Sequence, residues 1–356
     1  MAVGFGSFGR SPFGAFIKSP LGARDSGAEP GDWYMTNNVS GPDYWSSLDG
    51  ITWNTFTAGA SLYEASQLNF MTWPASKRLL GQSKYTDSPF GTLNDMMLGA
   101  STFASVGMTL GALTYCVRSG SKLIANHPST GTMVYSSDGG ANWTAVTLTA
   151  PSDNGPNTFG AFTCLPMVTA TGRVIICSRW VGAAAPTNRF FAHYSDDGGV
   201  TWTATASLGQ THTGTSRTAI LYQKASGRIW HVPVRGATAD DRRKKRYSDD
   251  NGATWNLGVD VAVGFATTNA SKDINGTRTT ARSSTTSLVY SDDDFVSFTT
   301  VSSLGFPLCI GTDIYYVDGS SQIQKSTNGG QTFGLVATTP SSFTNYRFLT
   351  KLGITW

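Results

Sequence analysis

Charge is scarce in this chain of 356 residues: only 14% are Asp, Glu, Lys or Arg. Globular domains carry about a quarter, so charge-laced helices and helical bundles are disfavoured. The signs also nearly balance, 26 cations against 23 anions, for a formal net charge of +3. Such a small excess does not point to nucleic acid or to an acidic membrane surface. Histidine and cysteine number four each, and the histidines, at 127, 193, 212 and 231, show no ligand spacing. Neither a metal nor a cofactor is therefore expected. No apolar run approaches the roughly 20 residues of a spanning helix. The opening MAVGFGSFGRSPFGAFIKSP lacks the basic start and continuous apolar stretch of a signal peptide.

The cysteines, Cys116, Cys164, Cys177 and Cys309, form no close pair in sequence. Three of them sit in similar apolar segments, LTYCV, FTCLP and PLCIG. Cysteine is a small residue that is often buried, so free thiols are expected. Cys116, Cys164 and Cys309 should then occupy matching places on innermost strands of different sheets.

Turn formers and aromatics are abundant instead, with 40 Gly, 14 Pro and 12% aromatic residues. Hydrophobics at 40% exclude global disorder. The combination describes an all-β chain of many short strands.

An internal repeat organises it. Three segments fit Ser-x-Asp-x-Gly-x-x-Trp: YSSDGGANW, YSDDGGVTW and YSDDNGATW. The first holds Ser136, Asp138, Gly140 and Trp143, and the second Ser195, Asp197, Gly199 and Trp202. The third holds Ser248, Asp250, Gly252 and Trp255. Three looser copies are YSDDDFVSF, with Phe295 for Gly, KSTNGGQTF, with Asn328 for Asp, and WSSLDGITW, framed on Ser46, Gly50 and Trp53. The chemistry is local. Asp accepts backbone N–H groups across a turn, Gly supplies a positive φ, and Ser adds a second side-chain bond. The aromatic residue begins the returning strand and should be largely buried. A calcium loop would need further aspartates at alternate positions and a downstream Glu, which are missing.

These segments resemble the Asp boxes of sialidase-like (BNR-repeat) β-propellers, in which each box joins the third and fourth strands of a blade. The resemblance implies a propeller and leaves activity open, since the family includes sialidases, other glycosidases, receptors and structural propellers. The box aromatics at 53, 143, 202, 255, 298 and 333 leave one double gap of 90 residues. It contains QLNFMTW, KRLLGQSKY and TLNDMML, which read as a box-less blade near residues 66–100. The first blade is one strand short, and NYRFLTKLGITW supplies a spare strand at the other end. Residues 33–356 are therefore read as a seven-bladed propeller, six being the alternative, closed by the C-terminal strand.

Residues 1–32 form a separate arm in which Phe5, Phe8, Phe13 and Phe16 alternate with glycines. It resembles the short Phe/Gly starts of small proteins in bacteriophage tail modules. That likeness implies docking to other virion or tail proteins through residues 1–20, after synthesis in the bacterial host cytoplasm. A second unusual segment, Asp240-Asp241-Arg242-Arg243-Lys244-Lys245-Arg246, reads as a solvated hairpin; phosphate or an acidic glycan is the alternative ligand.

Sialidases hold a carboxylate with three arginines and use a Tyr–Glu pair with an Asp acid/base. The family's Arg-Ile-Pro element is missing; Arg10-Ser11-Pro12 lies in the arm, and Glu64 is the obvious blade glutamate. Arg173, Arg179, Arg228 and Arg235 lie in or beside second strands, where some could line the ring's face. No Tyr–Glu pair accompanies them, so no catalytic residue is assigned. The expectation is a non-catalytic structural or host-surface-binding virion protein. A glycosidase acting on surface glycans and a soluble carbohydrate-binding propeller are the alternatives.

Overall fold

The computed structural model describes residues 33–37, 43–47, 51–57, 71–73, 78–82, 93–97, 104–105, 114–127, 131–138, 142–149 and 151. It further describes 157–164, 166–182, 188–208, 218–234, 244–261, 271–273, 278–283, 287–301, 308–310, 313–318, 320–338 and 347–351. The arm, with Phe5, Phe8, Phe13 and Phe16, lies outside the described residues, as does Gly140.

Every regular element among them is a strand, and the strands form seven antiparallel sheets in chain order. Sheet 1 joins Trp33–Asn37, Asp43–Ser47 and Asn54–Thr57 to Arg347–Lys351, which pairs with Trp33–Asn37. Sheet 2 comprises Met71–Trp73, Arg78–Gln82, Leu93–Met97 and Ala104–Ser105. Sheet 3 runs through Thr114–Ser119, Lys122–His127, Thr132–Ser136 and Thr144–Thr147. Sheet 4 has Asn157–Phe162 and Met167–Val168 on one side of Val174–Gly182, then Asn188–Ser195 and Thr203–Ser207. Sheet 5 has Thr218–Gln223, Ile229–Val234, Lys244–Ser248 and Asn256–Asp260. Sheet 6 is built from Ser271–Asp273, Thr279–Ser283, Ser287–Ser291 and Thr299–Val301. Sheet 7 uses Leu308–Ile310, Asp313–Val317, Gln322–Ser326 and Gly334–Thr338.

Burial falls from the second strand of a sheet to its fourth. In sheet 4, Val174, Ile175, Ile176, Cys177 and Ser178 are all fully buried on consecutive positions. A strand covered on both faces reads as a continuous run, not an alternation. Its two faces are sealed by sheets 3 and 5: Ile124, Met133, Ala219 and Ile229 belong to the same core. Sheets 5 and 6 share a second core around Tyr222, Trp230, Val289 and Phe295. The fourth strands are outer edges, where Leu257, Val259 and Leu335 remain exposed.

The register corrects one box. In sheets 3 to 7 the box serine closes the third strand opposite the head of the second, as Ser195 does with Val174 and Ser248 with Ile229. In sheet 1 that place belongs to Ser47, 1% exposed and opposite Trp33, not to Ser46. Asp49 then falls at the standard Ser-x-Asp spacing, and the missing residue lies between it and Trp53.

Candidate functional site

In sheets 3 to 7 each box is a local hydrogen-bonded turn. Ser195 donates its hydroxyl to Asp197 Oδ1 at 2.8 Å and accepts the Gly199 N–H at 2.7 Å. Asp197 Oδ1 also accepts the N–H groups of Val200 and Thr201, at 3.0 and 2.9 Å. Its Oδ2 accepts the Thr201 hydroxyl at 2.6 Å. Ser248 and Asp250 repeat this with Gly252, Thr254 N–H and Thr254 Oγ1. Ser136 donates to Asp138, which accepts both the backbone and side-chain N–H of Asn142. Asp293 is filled by Ser291 and Ser297 in the same way. Where Asn328 replaces Asp the polarity of one bond reverses: its Nδ2 donates to Thr332 Oγ1 at 2.8 Å. Burial alone would raise the carboxyls of Asp197, Asp250 and Asp293, but the turn's own donors outweigh it and hold all three below the ordinary range.

The indoles complete the turn. Trp202 and Trp255 donate Nε1–H to the carbonyls of Gly199 and Gly252 at 3.0 and 3.1 Å. Reaching a carbonyl on a surface hairpin keeps these two rings half-buried instead of enclosed, and Trp143 is half-buried as well. At the glycine, backbone φ is +88° in Gly199 and +87° in Gly252. Phe295 takes the same place at φ +66° and is fully buried, edge-on to Tyr222 of the preceding sheet. A side chain is thus tolerated there when the neighbouring sheet leaves a pocket for it.

Two arginines, Arg173 and Arg278, each tie their own box to the next. Arg173 lies 4.0 Å over the Tyr194 ring, pairs both carboxylate oxygens of Asp196, and donates to the Asn251 carbonyl at 3.1 Å. Arg278 does the same with Tyr290, Asp292 and the Asn328 carbonyl. Arg228 stacks on Tyr247 and pairs both oxygens of Asp249. The planar guanidinium suits this combined stacking and forked pairing. Arg173 and Arg228 are therefore committed to separate aspartates and do not converge on a common ligand position. Arg179 is 9% exposed, in the second strand of sheet 4, and Arg235 lies outside the described residues.

Part of the basic run is placed by the fold; Asp240, Asp241, Arg242 and Arg243 lie outside the described residues. Lys244, Lys245 and Arg246 open the third strand of sheet 5, and Lys245 is only 1% exposed. It donates to the Asp294 carbonyl of sheet 6 at 2.6 Å over the Trp230 face, while Arg246 donates to the Leu208 carbonyl of sheet 4. A strand position between two sheets, not a solvated hairpin, accounts for Lys245 and Arg246.

Two histidines missed in sequence are interior. Trp180 donates to Ser178 Oγ at 2.8 Å, and the same hydroxyl is hydrogen-bonded to His193 Nε2 at 2.8 Å. Ser178 is fully buried and His193 1% exposed, which keeps this Ser–His pair from any substrate. Burial lowers His193 to about 4, and burial followed by the charge of Arg246 lowers His231 to about 4. No spacing in the sequence marks the Ser178–His193 pairing.

The sequence model of the BNR repeat-like domain family matches residues 100–299. No curated protein sequence matches the chain. Among solved structures, a Bacteroides fragilis protein described as a candidate 6-phosphogluconolactonase matches at TM-score 0.53 and 12% identity, over 90% of this chain and 98% of that one. YCF48 bound to a D1 peptide matches at 0.47 and 15% identity, over 79% and 86%. BamB from Moraxella catarrhalis gives 0.44 and 12%, over 85% and 90%. Identities this low concern the fold alone.

Proposed function

The chain belongs to the BNR repeat-like family, and from that premise we propose that it is a non-catalytic binding scaffold. In this reading the seven sheets are the blades of one ring, closed where Arg347–Lys351 joins Trp33–Asn37. The observation that carries the non-catalytic part is the commitment of Arg173 and Arg228 to Asp196 and Asp249. A sialidase-type grip on a carboxylate needs those guanidinium forks unoccupied. The box aspartates are likewise saturated by their own turns, so the boxes serve the fold.

The virion placement rests on the Phe/Gly segment of residues 1–20. Four buried phenylalanines would each contribute about 1.5–3 kcal/mol to docking, and the glycines between them let the backbone lie close to a partner. The test is a chain beginning at Gly31, expressed beside the full-length chain in a phage-producing host. The shortened chain should fold with an unchanged melting transition and fail to sediment with virions. Normal incorporation would overturn the docking role, and a lost fold would make the arm part of the ring. Sialic acid release from a generic sialoside by the full-length protein, abolished by Arg173→Ala or Arg228→Ala, would replace this reading with the glycosidase one.

A further inference from the structure

The innermost strand of sheet 4 breaks between Phe162 and Met167, and the break redirects three backbone groups. Phe162 stands opposite Ser178, which places Thr163 opposite Cys177. Thr163 N–H donates to the Cys177 carbonyl at 2.9 Å, as an antiparallel ladder requires. The reciprocal bond is missing, because the Thr163 carbonyl turns away and accepts Ala219 N–H of sheet 5 at 2.5 Å. The Cys177 N–H released by that turn donates to Cys164 Sγ at 3.0 Å. Cys164 therefore sits at the interruption of the strand, not on it; Cys116 and Cys309 lie within the innermost strands of sheets 3 and 7. A sulfur stands in for a ladder carbonyl at the point where sheet 4 bonds to sheet 5.

This arrangement brings together two free thiols that are thirteen residues apart. Cys177 is fully buried and Cys164 is 8% exposed. The Cys164 sulfur lies 3.0 Å from the Cys177 backbone nitrogen, within the reach of a disulfide, and the break frees Cys164 from the alternation that puts successive ladder positions on opposite faces. A sulfur held against the Cys177 backbone N–H is also next to the Cys177 side chain. We propose that Cys164 and Cys177 are a redox pair that closes an intrasheet disulfide on contact with a low-molecular-weight disulfide such as oxidised glutathione.

The exchange balances in two steps. Cys164, at the bend and the more exposed of the two, loses its proton and attacks one sulfur of glutathione disulfide, forming a mixed disulfide and expelling one glutathione thiolate. Cys177 then loses its proton and attacks the Cys164 sulfur, forming the Cys164–Cys177 bond and expelling the second glutathione. The protein gives up two electrons and two protons, and the oxidant becomes two thiols. Burial, and then the contact with Cys164, push the Cys177 thiol well above its ordinary value, which assigns the slow second step to Cys177. The product cross-links the broken strand to its neighbour at the seam with sheet 5, while a disulfide sulfur can still accept the Cys177 N–H.

The test treats the folded full-length chain with oxidised glutathione, blocks remaining thiols with iodoacetamide, and maps peptides without reduction. The expected result is one peptide pair joining Cys164 to Cys177, lighter by two hydrogens, with the four titratable thiols reduced to two. The melting transition should move up, and dithiothreitol should return it to its starting point. Cys164→Ser retains an acceptor for the Cys177 N–H and should abolish both changes; Cys177→Ala is the second variant if the first does not fold. A stable glutathione adduct on Cys164 without the cross-link would overturn the proposal. So would inert thiols in the folded chain, or a cross-link seen only after unfolding.

Discussion

Adding one methyl group at Gly252 probes the seam between sheets 4 and 5 directly. Gly252 has φ +87°, and a Cβ there would lie 2.4 Å from Ile175 Cδ1 and 3.3 Å from its Cγ1. Ile175 is fully buried in the shared core, so its Cδ1 can yield only by displacing other core side chains. Gly227 is the internal control: its φ is +91°, with nothing within 4 Å of the added carbon. Gly227→Ala therefore isolates the left-handed backbone penalty, about 1–2 kcal/mol. Gly252→Ala adds overpacking of about 1–3 kcal/mol to that penalty, for a total of roughly 2–5 kcal/mol. Ile175→Val deletes the clashing Cδ1 and should by itself cost about 0.5–1.5 kcal/mol. In the Gly252→Ala, Ile175→Val double variant the clash is relieved while the backbone strain remains. The combined loss should then fall short of the sum of the single losses by about 1–3 kcal/mol. Urea unfolding of all four variants, with midpoint and slope both recorded, reads these differences. Additive losses within about 0.5 kcal/mol, or a Gly227→Ala loss as large as that of Gly252→Ala, would refute the seam contact.

Three further outcomes follow. His193 and His231 stay neutral in the fold down to about 4, whereas each takes up a proton in the unfolded chain near pH 6.5. Stability should be complete above that value and fall between about pH 6.5 and 4, by up to roughly 3 kcal/mol per histidine; a flat unfolding midpoint across that window would contradict their burial. The Arg278 guanidinium holds the Asp292 carboxyl below its ordinary value, so Arg278→Met should let that carboxyl titrate higher by carboxyl-resolved NMR, and an unmoved titration would remove the pair. Trp202→Phe keeps most of the packing and loses only the bond to the Gly199 carbonyl, which should lower stability by about 0.5–1.5 kcal/mol in thermal unfolding; a larger loss would place the ring deeper in the core.

The turns were legible because their chemistry is consecutive in sequence. Ser195, Asp197 and Thr201 find one another within seven residues, so a short pattern contains the whole hydrogen-bond set. The strands around them, such as GRVIICSRW and RFFAHYS, were legible for a similar reason: turn residues bracket apolar runs. The cationic partners escaped because they come from elsewhere in the fold. Arg173 meets Asp196 across 23 residues and Arg278 meets Asp292 across 14, so no fixed offset marks them. Ser46 was read for Ser47 because the sheet 1 turn is one residue shorter, and only the buried register position separates two adjacent serines. Cys164 was read as a strand residue because its flanking sequence is apolar. The break there comes from the Thr163 carbonyl choosing a donor in another sheet, which is a tertiary event.

The successive turns also explain why four cations in three different patterns do one job. From sheet 3 to sheet 7, each sheet sends a cation to a backbone carbonyl in the box of the next: Lys122 to Asp197, Arg173 to Asn251, Lys245 to Asp294 and Arg278 to Asn328. The choice of cation tracks what stands beside the box serine. Where Asp196 and Asp292 offer a carboxylate, an arginine can pair with it and still reach onward with Nη1. In sheet 3, Ser137 replaces that aspartate, no forked partner is needed, and a lysine suffices. In sheet 5 the next box carries Phe295 in place of glycine, and the link shifts to the third strand: Lys245 reaches the Asp294 carbonyl while Lys224 pairs with the Asp294 carboxylate at 3.0 Å. Sheet 7 exchanges the parts altogether, with Lys325 in the tyrosine's place, over the Tyr315 ring and 2.7 Å from Asp313. What persists through these exchanges is a positive charge held over an aromatic ring at the same end of each of sheets 3 to 7. The box is thus half of a fastener, and its other half is free to vary in residue type and in sequence position.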